Sequence, residues 1–365
     1  MTAPPRPSRL GPRLPAFYCP LERDLVHPEA KQVEARAVEW VDSFGLYPDA
    51  VERAWGLATH SADFTCRIIP EGKVEALLLF AEWNYWANAV DDWQDSGSEE
   101  VGTGAVVEHG VRLLRTIENP GASLLPDGPM TRALVDLVSR THAMLSPFEL
   151  RRFTEGTRDW LLGAAWRAAR AEEGAMPGLN DFAALGPLAN GTRFSLTWSD
   201  VAREDRLPAE VLYSPALTAL TDAAGFIVSA DNDLFSYDKD DHLEPPEVNL
   251  VNVLAHREGC SPAEAVPLAV ALRDRVMVLF TTLRARLADG ADPRLRRHLA
   301  ALGHYVAGCV AWQGRAPRYA TPRNRYGLPS AEARLAVRYA DVPSVPDREA
   351  PDLPALASWW QWVGD

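Results

Sequence analysis

The feature that most constrains the fold is a run from Val74 to Val90 that is apolar nearly all round. A helix without a polar face is stable only when it is buried among other elements. A second run of this kind extends from Leu217 to Val228. Between 272 and 287 the apolar residues recur every three or four positions, which is typical of an amphipathic helix. Asp289 and Gly290 offer a stop signal for that helix.

The remaining sequence shows no alternating strand pattern, no hairpin turn signal and no internal repeat. We therefore expect an all-α fold, a single bundle of about ten helices. The 365 residues, 47% of them hydrophobic, are enough for one large core. We divide the chain into a proline-rich arm (1–25), a helical body (26–340) and a tail (341–365). Loops are expected at 240–247 and after 316, and the tail tryptophans should dock onto the body.

The net charge of −13 and the pI near 5.2 argue against partners that need clustered Lys and Arg. We therefore expect neither nucleic acid nor an anionic membrane surface as a partner. No apolar run is long enough for a membrane span, and the N-terminus lacks the layout of a signal peptide. The sequence predicts a cytoplasmic protein.

A cluster of acids follows the first buried run, with Asp91, Asp92 and Asp95 in five residues. Asp91 and Asp95 are four apart and share one helical face. Such carboxylates repel each other unless a cation joins them, and hard oxygen ligands suit Mg²⁺. A solvated acidic loop is an equally good interpretation of this cluster alone.

The second apolar run leads into another polar row, formed by Asn232, Ser236 and Asp240. Their spacing of four places an amide oxygen, a hydroxyl and a carboxylate in line on one helix face. This row predicts a second magnesium site, with the cation Lys239 beside its last ligand. The alternative is an ordinary polar helix face.

A third group consists of Trp312 followed by Arg318 and Tyr319. Arginine binds phosphate through a planar fork that stays charged, and a tyrosine hydroxyl adds a donor. By itself such a pair is more often a surface contact than a site.

Taken together and in this order, the three groups resemble the motifs of bacterial class I terpene synthases, and the resemblance extends from about residue 17 to residue 319. It implies a helical bundle around a central apolar cavity. It also implies an enzyme that ionises a linear isoprenyl diphosphate, cyclises the carbocation to a terpene hydrocarbon or alcohol and releases diphosphate.

The resemblance also implies roles for individual residues. Three Mg²⁺ ions are expected, a pair held by Asp91, Asp92 and Asp95 and a third held by Asn232, Ser236 and Asp240. The diphosphate would be bound by Lys239, Arg318 and Tyr319. The catalytic set is Asp91, Asp92, Arg318 and Tyr319. The expected cavity residues are Tyr85, Trp86, Ala87, Asn88, Phe235 and Trp312.

The sequence departs from the family pattern in three places. Asp240 stands where a longer glutamate is usual. Gly186 occupies the position of a diphosphate-sensing arginine, and Arg193, about two helical turns further on, is a substitute if the helix continues. Ala87 and Asn88 replace two usual phenylalanines, which suggests a wider cavity. We therefore favour geranylgeranyl diphosphate over farnesyl diphosphate as the substrate.

Two other functions remain open at this point. A chain-elongating prenyltransferase also binds diphosphates through magnesium, but normally carries two aspartate-rich motifs. A catalytically silent isoprenoid-binding protein is conceivable because of Gly186 and Asp240. Many relatives are dimers, so the resemblance allows a homodimer, although no self-complementary patch is evident.

Overall fold

The computed structural model describes residues 14–95, 102–122, 124–240, 247–321, 329, 332–346 and 348–363, without the side chains of 93–95 and 239–240. Most of these residues are helical. In chain order the α-helices are α1 Ala30–Phe44, α2 Ala50–Leu57, α3 Ser61–Ile68, α4 Val74–Asp95, α5 Thr103–Glu118, α6 Pro129–Met144, α7 Pro147–Glu173, α8 Leu179–Leu185, α9 Thr192–Arg203, α10 Ala209–Leu212, α11 Pro215–Asp240, α12 Leu250–Glu258, α13 Pro262–Ala288, α14 Pro293–Arg315, α15 Pro317–Ala320 and α16 Pro354–Ala357. Short 3₁₀ turns lie at Pro120–Ala122, Gly186–Asn190 and Ser358–Trp362.

The all-α prediction is confirmed, and the predicted helices lie where the patterns indicated. The first apolar run begins α4 at Val74, and the second lies inside α11. The amphipathic pattern at 272–287 belongs to the longer α13, which ends at Ala288, just before the expected stop. The described residues hold more than the ten helices we expected because several connections, such as α10 and α15, form single helical turns.

The core forms around α4 and α11. Helix α4 packs against α1, α3, α6 and α9, while α11 packs against α13 and α14. Aromatic rings fill the space beside α4: Phe80 stacks on Trp198 and Trp83 tilts against Phe153. Burial of such large rings is the main stabilising contribution to a helical core.

Two glycines allow α7 to approach the segment around 186–194 very closely. A Cβ at Gly163 would lie 2.4 Å from the backbone nitrogen of Ala189, and one at Gly156 would lie 2.5 Å from that of Phe194. No larger residue fits at either position without moving a backbone. This close packing brings α7 to the wall of the cavity described below.

A segment near the start of the described chain and one after the last long helix pair in a small parallel sheet. Strand β1 (Ala16–Tyr18) pairs with strand β2 (Arg338–Ala340). The predicted arm is therefore ordered from residue 14 on and packs into the core through Phe17, while residues 1–13 lie outside the described residues. In the tail, the Trp359 ring lies 6.4 Å from that of Phe226, so docking of the tail is confirmed.

The buried guanidinium of Arg273 joins this sheet to α11. It pairs with Asp231 at 2.7 Å and with the neighbouring Asp274, and it donates to the backbone oxygen of Tyr18. Asp274 in turn accepts a hydrogen bond from the backbone nitrogen of Ser344. The predicted loops at about 240–247 and after 316 lie only in part within the described residues, which leave out 241–246 and 322–328. The segment after 316 begins with the helical turn α15. Within the described part of the chain, no helix has the length and apolar character needed to cross a membrane.

Candidate active site

The first acidic cluster meets Arg318 at the C-terminal end of α4. Nη1 of Arg318 lies 3.0 Å from Oδ2 of Asp92, and Nη2 lies 2.8 Å from Oδ1. Asp91 is further away, at 3.8 Å, and its side chain is 45% exposed. Burial by itself would lower the pKa of the Arg318 guanidinium, but the Asp92 carboxylate raises it above its ordinary value. The ion pair with Asp92 therefore favours the charged form of Arg318.

The second polar row lies on α11 and faces the same space. Asn232 and Ser236 both line the cavity, as their spacing of four predicts. Nδ2 of Asn232 donates to the Tyr319 hydroxyl at 3.1 Å, so its Oδ1 is the atom available to a cation. Between them in sequence, Asp233 is not a lining residue and accepts a hydrogen bond from the backbone nitrogen of Leu250.

The Arg-Tyr pair joins the two rows. The single turn of α15 follows α14, and the backbone nitrogen of Arg318 is held by the backbone oxygen of Ala58. Arg318 reaches the acids of α4, while Tyr319 reaches Asn232 on α11. The three motifs, separated in sequence by more than 200 residues between the first and the last, thus meet at one place.

These motifs surround one end of a cavity of about 650 Å³. Its volume lies in the range of ordinary small-molecule pockets. Much of the wall is aromatic, and the lining includes Phe64, Trp83, Trp86, Trp160, Phe194 and Trp312. Trp312 is fixed by a hydrogen bond from Nε1 to the backbone oxygen of Thr59 and packs edge-on against Tyr319. Ring faces of this kind attract cations by about 0.5–2 kcal/mol each.

The oxygen donors fit magnesium, although the described part of the set is incomplete. Asp91, Asn232 and Ser236 present a carboxylate, an amide oxygen and a hydroxyl to the cavity. These are the hard ligands that Mg²⁺ takes, with substrate phosphates and water completing its shell. Among the described side chains no group of three His, Cys, Asp or Glu residues could hold a metal ion. The side chains of Asp95, Lys239 and Asp240 lie outside the described residues.

Of the predicted cavity residues, Trp86, Ala87, Asn88 and Trp312 line the wall. The other two point elsewhere and correct the prediction. Tyr85 is fully buried and donates its hydroxyl to Glu34. Phe235 stacks on Phe17 at 5.1 Å, within the core. Each lies one position from a cavity residue, and a step of one along a helix turns the side chain by about 100°.

The structure also corrects the placement of Arg193. Its guanidinium pairs with Asp222 at 3.1 Å and Asp159 at 3.3 Å, and it lines a separate cavity of about 220 Å³. The helix does not continue from 186 to 193 as assumed. The chain forms a 3₁₀ turn instead and passes through Gly191, whose φ is +61°, before α9 begins.

Sequence reasoning missed several lining residues. Trp83 and Asn84 lie four positions before Ala87 and Asn88, so helical spacing along α4 would have found them. Asn84 and Asn88 form a polar patch with Ser61, which receives a hydrogen bond from Asn88. Arg167 on α7 was missed as well, and no local pattern marks it.

Comparison with known proteins agrees with this geometry. Residues 82–278, more than half of the chain, match the model of terpene synthase family 2, C-terminal metal binding. Bonnadiene synthase from Allokutzneria albata is 31% identical over 353 residues, covering 95% of this chain and 97% of that protein. Spiroviolene synthase from Streptomyces violens is 34% identical and covers 95% of this chain and 96% of its own length.

A solved structure has the same fold over almost the whole chain. The crystal structure of the SVS_A2 protein from ancestral sequence reconstruction superposes with a TM-score of 0.83 at 32% identity, covering 95% of this chain and 98% of the other. The family model covers the centre of the helical body, while the relatives and the solved structure cover almost the whole chain. The chain belongs to the bacterial class I terpene synthases, lyases of the terpene cyclase type.

Proposed function

We propose that this terpene synthase ionises geranylgeranyl diphosphate with the help of Mg²⁺ and cyclises the resulting carbocation. The observation that carries the proposal is the meeting of three polar motifs at one end of an aromatic cavity. Asp91 of α4, the Asn232 and Ser236 row of α11 and the Arg318–Tyr319 pair border the same space, and Asp92 joins them through its ion pair with Arg318. A diphosphate can be held at that end while its hydrocarbon chain extends into the apolar part.

The residues of the motifs bind and neutralise the leaving group. Asp91, Asp92, Asn232 and Ser236, together with Asp95 and Asp240, would hold three Mg²⁺ ions. When bound, these ions stabilise negative charge on phosphate oxygens as Lewis acids. For Asp92 to bind metal, its ion pair with Arg318 has to open when the substrate enters. Arg318 and the Tyr319 hydroxyl, with Lys239, would then donate hydrogen bonds to the diphosphate. The carbon–oxygen bond at the first carbon breaks heterolytically, and the electron pair leaves with the diphosphate.

The allylic cation is then confined by the cavity. Aromatic faces such as those of Phe64, Trp86 and Trp312 stabilise the positive charge and exclude water. Ring closure moves the charge along the chain without changing the atom count. Loss of a proton ends the reaction with a hydrocarbon, whereas addition of water and loss of a proton gives an alcohol.

The substrate choice rests on the wall beside the acids. Ala87 and Asn88 line the cavity within one turn of Asp91. Small side chains there leave room for a longer isoprenyl chain, so we favour geranylgeranyl diphosphate, with farnesyl diphosphate as the nearest alternative. We further infer one catalytic body from about residue 26 to 340, onto which the arm and the tail pack, acting in the cytoplasm. A homodimer is an assembly that the family allows.

The experiment is incubation of the protein with Mg²⁺ and each of geranyl, farnesyl and geranylgeranyl diphosphate. Gas chromatography with mass detection of the organic extract then identifies the products. Cyclic terpene from the longest substrate supports the proposal. Longer linear diphosphates would instead identify a chain-elongating prenyltransferase, and unchanged substrates would identify a silent binder. Omission of Mg²⁺ or addition of EDTA should abolish turnover.

A further inference from the structure

Two cationic side chains line the cavity among the described residues, and only one of them belongs to a predicted motif. Arg318 is the first, and Arg167 of α7 is the second. Arg167 lies on the side of α11: its Nη2 is 3.9 Å from Asp233, the residue after Asn232. The acids of α4 therefore have Arg318 beside them, and the polar row of α11 has Arg167 nearby.

The two arginines differ in how tightly they are held. Arg318 forms a two-pronged ion pair with Asp92 at 2.8 and 3.0 Å. Arg167 is 3.6 Å from Glu247 and 3.9 Å from Asp233, both longer than a charge-assisted hydrogen bond of about 2.7–2.9 Å. Its Nε is buried without a hydrogen-bond partner. The guanidinium of Arg167 thus has N–H groups that can donate hydrogen bonds to an anionic ligand.

Arg167 also occupies the neighbourhood of Gly186. Its Nη2 donates to the backbone oxygen of Gly186 at 3.4 Å. A Cβ at 186 would lie 2.9 Å from the ring of Phe182, so this backbone position points toward the core and carries no cation into the cavity. Arg193, the other candidate near this segment, lines a different cavity.

We infer that Arg167 binds the diphosphate of the substrate, opposite Arg318, and exchanges its loose pairing with Glu247 for phosphate oxygens. A guanidinium fork suits two phosphate oxygens at once. Arg318, beside α4, and Arg167, beside α11, would then both donate hydrogen bonds to the diphosphate leaving group. This inference rests on the proposed function, because it assumes that the cavity receives an isoprenyl diphosphate.

The test measures binding of inorganic diphosphate in the presence of Mg²⁺ by isothermal titration calorimetry. Arg167→Gln should raise the dissociation constant by about 10- to 100-fold, since a charged hydrogen-bond partner is lost from a partly buried site. In the same variant, KM for the isoprenyl diphosphate that the enzyme converts should also rise. Arg167→Lys, which keeps the charge without the fork, should give an intermediate value. A dissociation constant for Arg167→Gln within about twofold of the wild type overturns the inference.

Arg158→Gln is the matched control. Arg158 lies on the same helix, pairs with Glu118 at 3.0 Å and is not a lining residue, so binding should stay at the wild-type value. Loss of affinity in this control equal to that in Arg167→Gln would assign the effect to general charge and overturn the inference.

Glu247→Gln should lower the dissociation constant of inorganic diphosphate, the opposite of the change expected for Arg167→Gln. Removing this carboxylate frees Arg167, so inorganic diphosphate should bind more tightly, and the gain should disappear in the Arg167→Gln background. If Arg167→Gln does not fold, Glu247→Gln alone decides, because unchanged or weaker binding contradicts the exchange. A wild type that converts no isoprenyl diphosphate refutes the proposed function, while the diphosphate titration still tests Arg167.

Discussion

Arg318 forms an ion pair with both carboxylate oxygens of Asp92, although the two residues are 226 positions apart in the chain. The exposed fractions of these side chains are only 8% and 13%, so the pair is largely shielded from water. Removing one partner of a buried pair leaves the other charge uncompensated, which typically costs about 3–5 kcal/mol.

We therefore expect Asp92→Ala to lower the free energy of unfolding by about 3 kcal/mol and to abolish turnover. Urea unfolding followed by circular dichroism, with product assays, checks both effects. Asp91→Ala is the control for stability, because Asp91 is half-exposed and 3.8 Å from the guanidinium. It should lose activity while keeping nearly wild-type stability. Equal destabilisation by both changes would contradict a specific role for the Asp92 pair.

Asn232→Ala should reduce kcat by more than about 100-fold, because it removes an oxygen that faces the cavity from the second motif. Tyr319→Phe removes only the hydroxyl that accepts from Asn232, and we expect a smaller loss of about 10-fold. Steady-state kinetics across a range of Mg²⁺ concentrations distinguish the two variants. Only Asn232→Ala should also raise the Mg²⁺ requirement, and an unchanged requirement would remove this side chain from the metal set.

Arg193→Ala should leave kcat and KM at wild-type values. The guanidinium is half-exposed and pairs with Asp159 and Asp222 outside the main cavity. Steady-state kinetics of this variant provide the measurement. A rise in KM of tenfold or more, corresponding to about 1.4 kcal/mol, would show that Arg193 reaches the substrate after all.

Ala87→Phe should change the substrate preference. A ring at this lining position fills part of the space beside the acids, so kcat/KM for geranylgeranyl diphosphate should fall relative to farnesyl diphosphate by about tenfold or more. Competition assays with both substrates measure this ratio directly. Ala87→Ser, which adds one atom, is the control and should leave the ratio nearly unchanged.

Glu82 should make stability depend on pH. Burial raises the pKa of its carboxyl from 4.5 to about 7, even though Arg140 lies 2.5 Å away. Between pH 4.5 and 7 the folded state therefore binds more protons at this site than the unfolded state does. The stabilisation is full below pH 4.5 and is lost as the pH rises through 7.

Glu82→Gln should remove this dependence. From pH 4.5 to 8 the wild type should lose about 3 kcal/mol more than the variant, measured as the difference between their free energies of unfolding. Taking the difference cancels the other titrating groups. Parallel curves for the two proteins would show that Glu82 stays ionised throughout this range.

Helical spacing explains which parts of the site could be predicted. Asn232 and Ser236 share a face because α11 is regular through the motif. On α4, spacing of four from Ala87 and Asn88 leads to Trp83 and Asn84, but the apolar pattern of the helix does not by itself mark the cavity side. For this reason the sequence does not distinguish Trp86, which lines the cavity, from its buried neighbour Tyr85.

Contacts between distant helices could not be predicted from local patterns. Arg193 was placed by extending a helix through Gly191, where a left-handed backbone interrupts the phase. Arg167 lies 65 positions before Asn232, and no periodicity relates the two. Its place on the cavity wall depends on Gly156 and Gly163, which let α7 pack closely against the segment 186–194. That contact is visible only in the folded structure.

The position of Arg273 ties the extremities of the protein to the reaction centre. Tyr18 and Ser344 reach the Arg273–Asp274 pair from opposite termini, and Asp231, immediately before Asn232, completes the cluster. Removing Tyr18 or Ser344 by truncation would expose the buried guanidinium of Arg273, which pairs with Asp231 next to the second motif. We therefore expect a variant trimmed to the helical body to lose activity although every motif residue is retained.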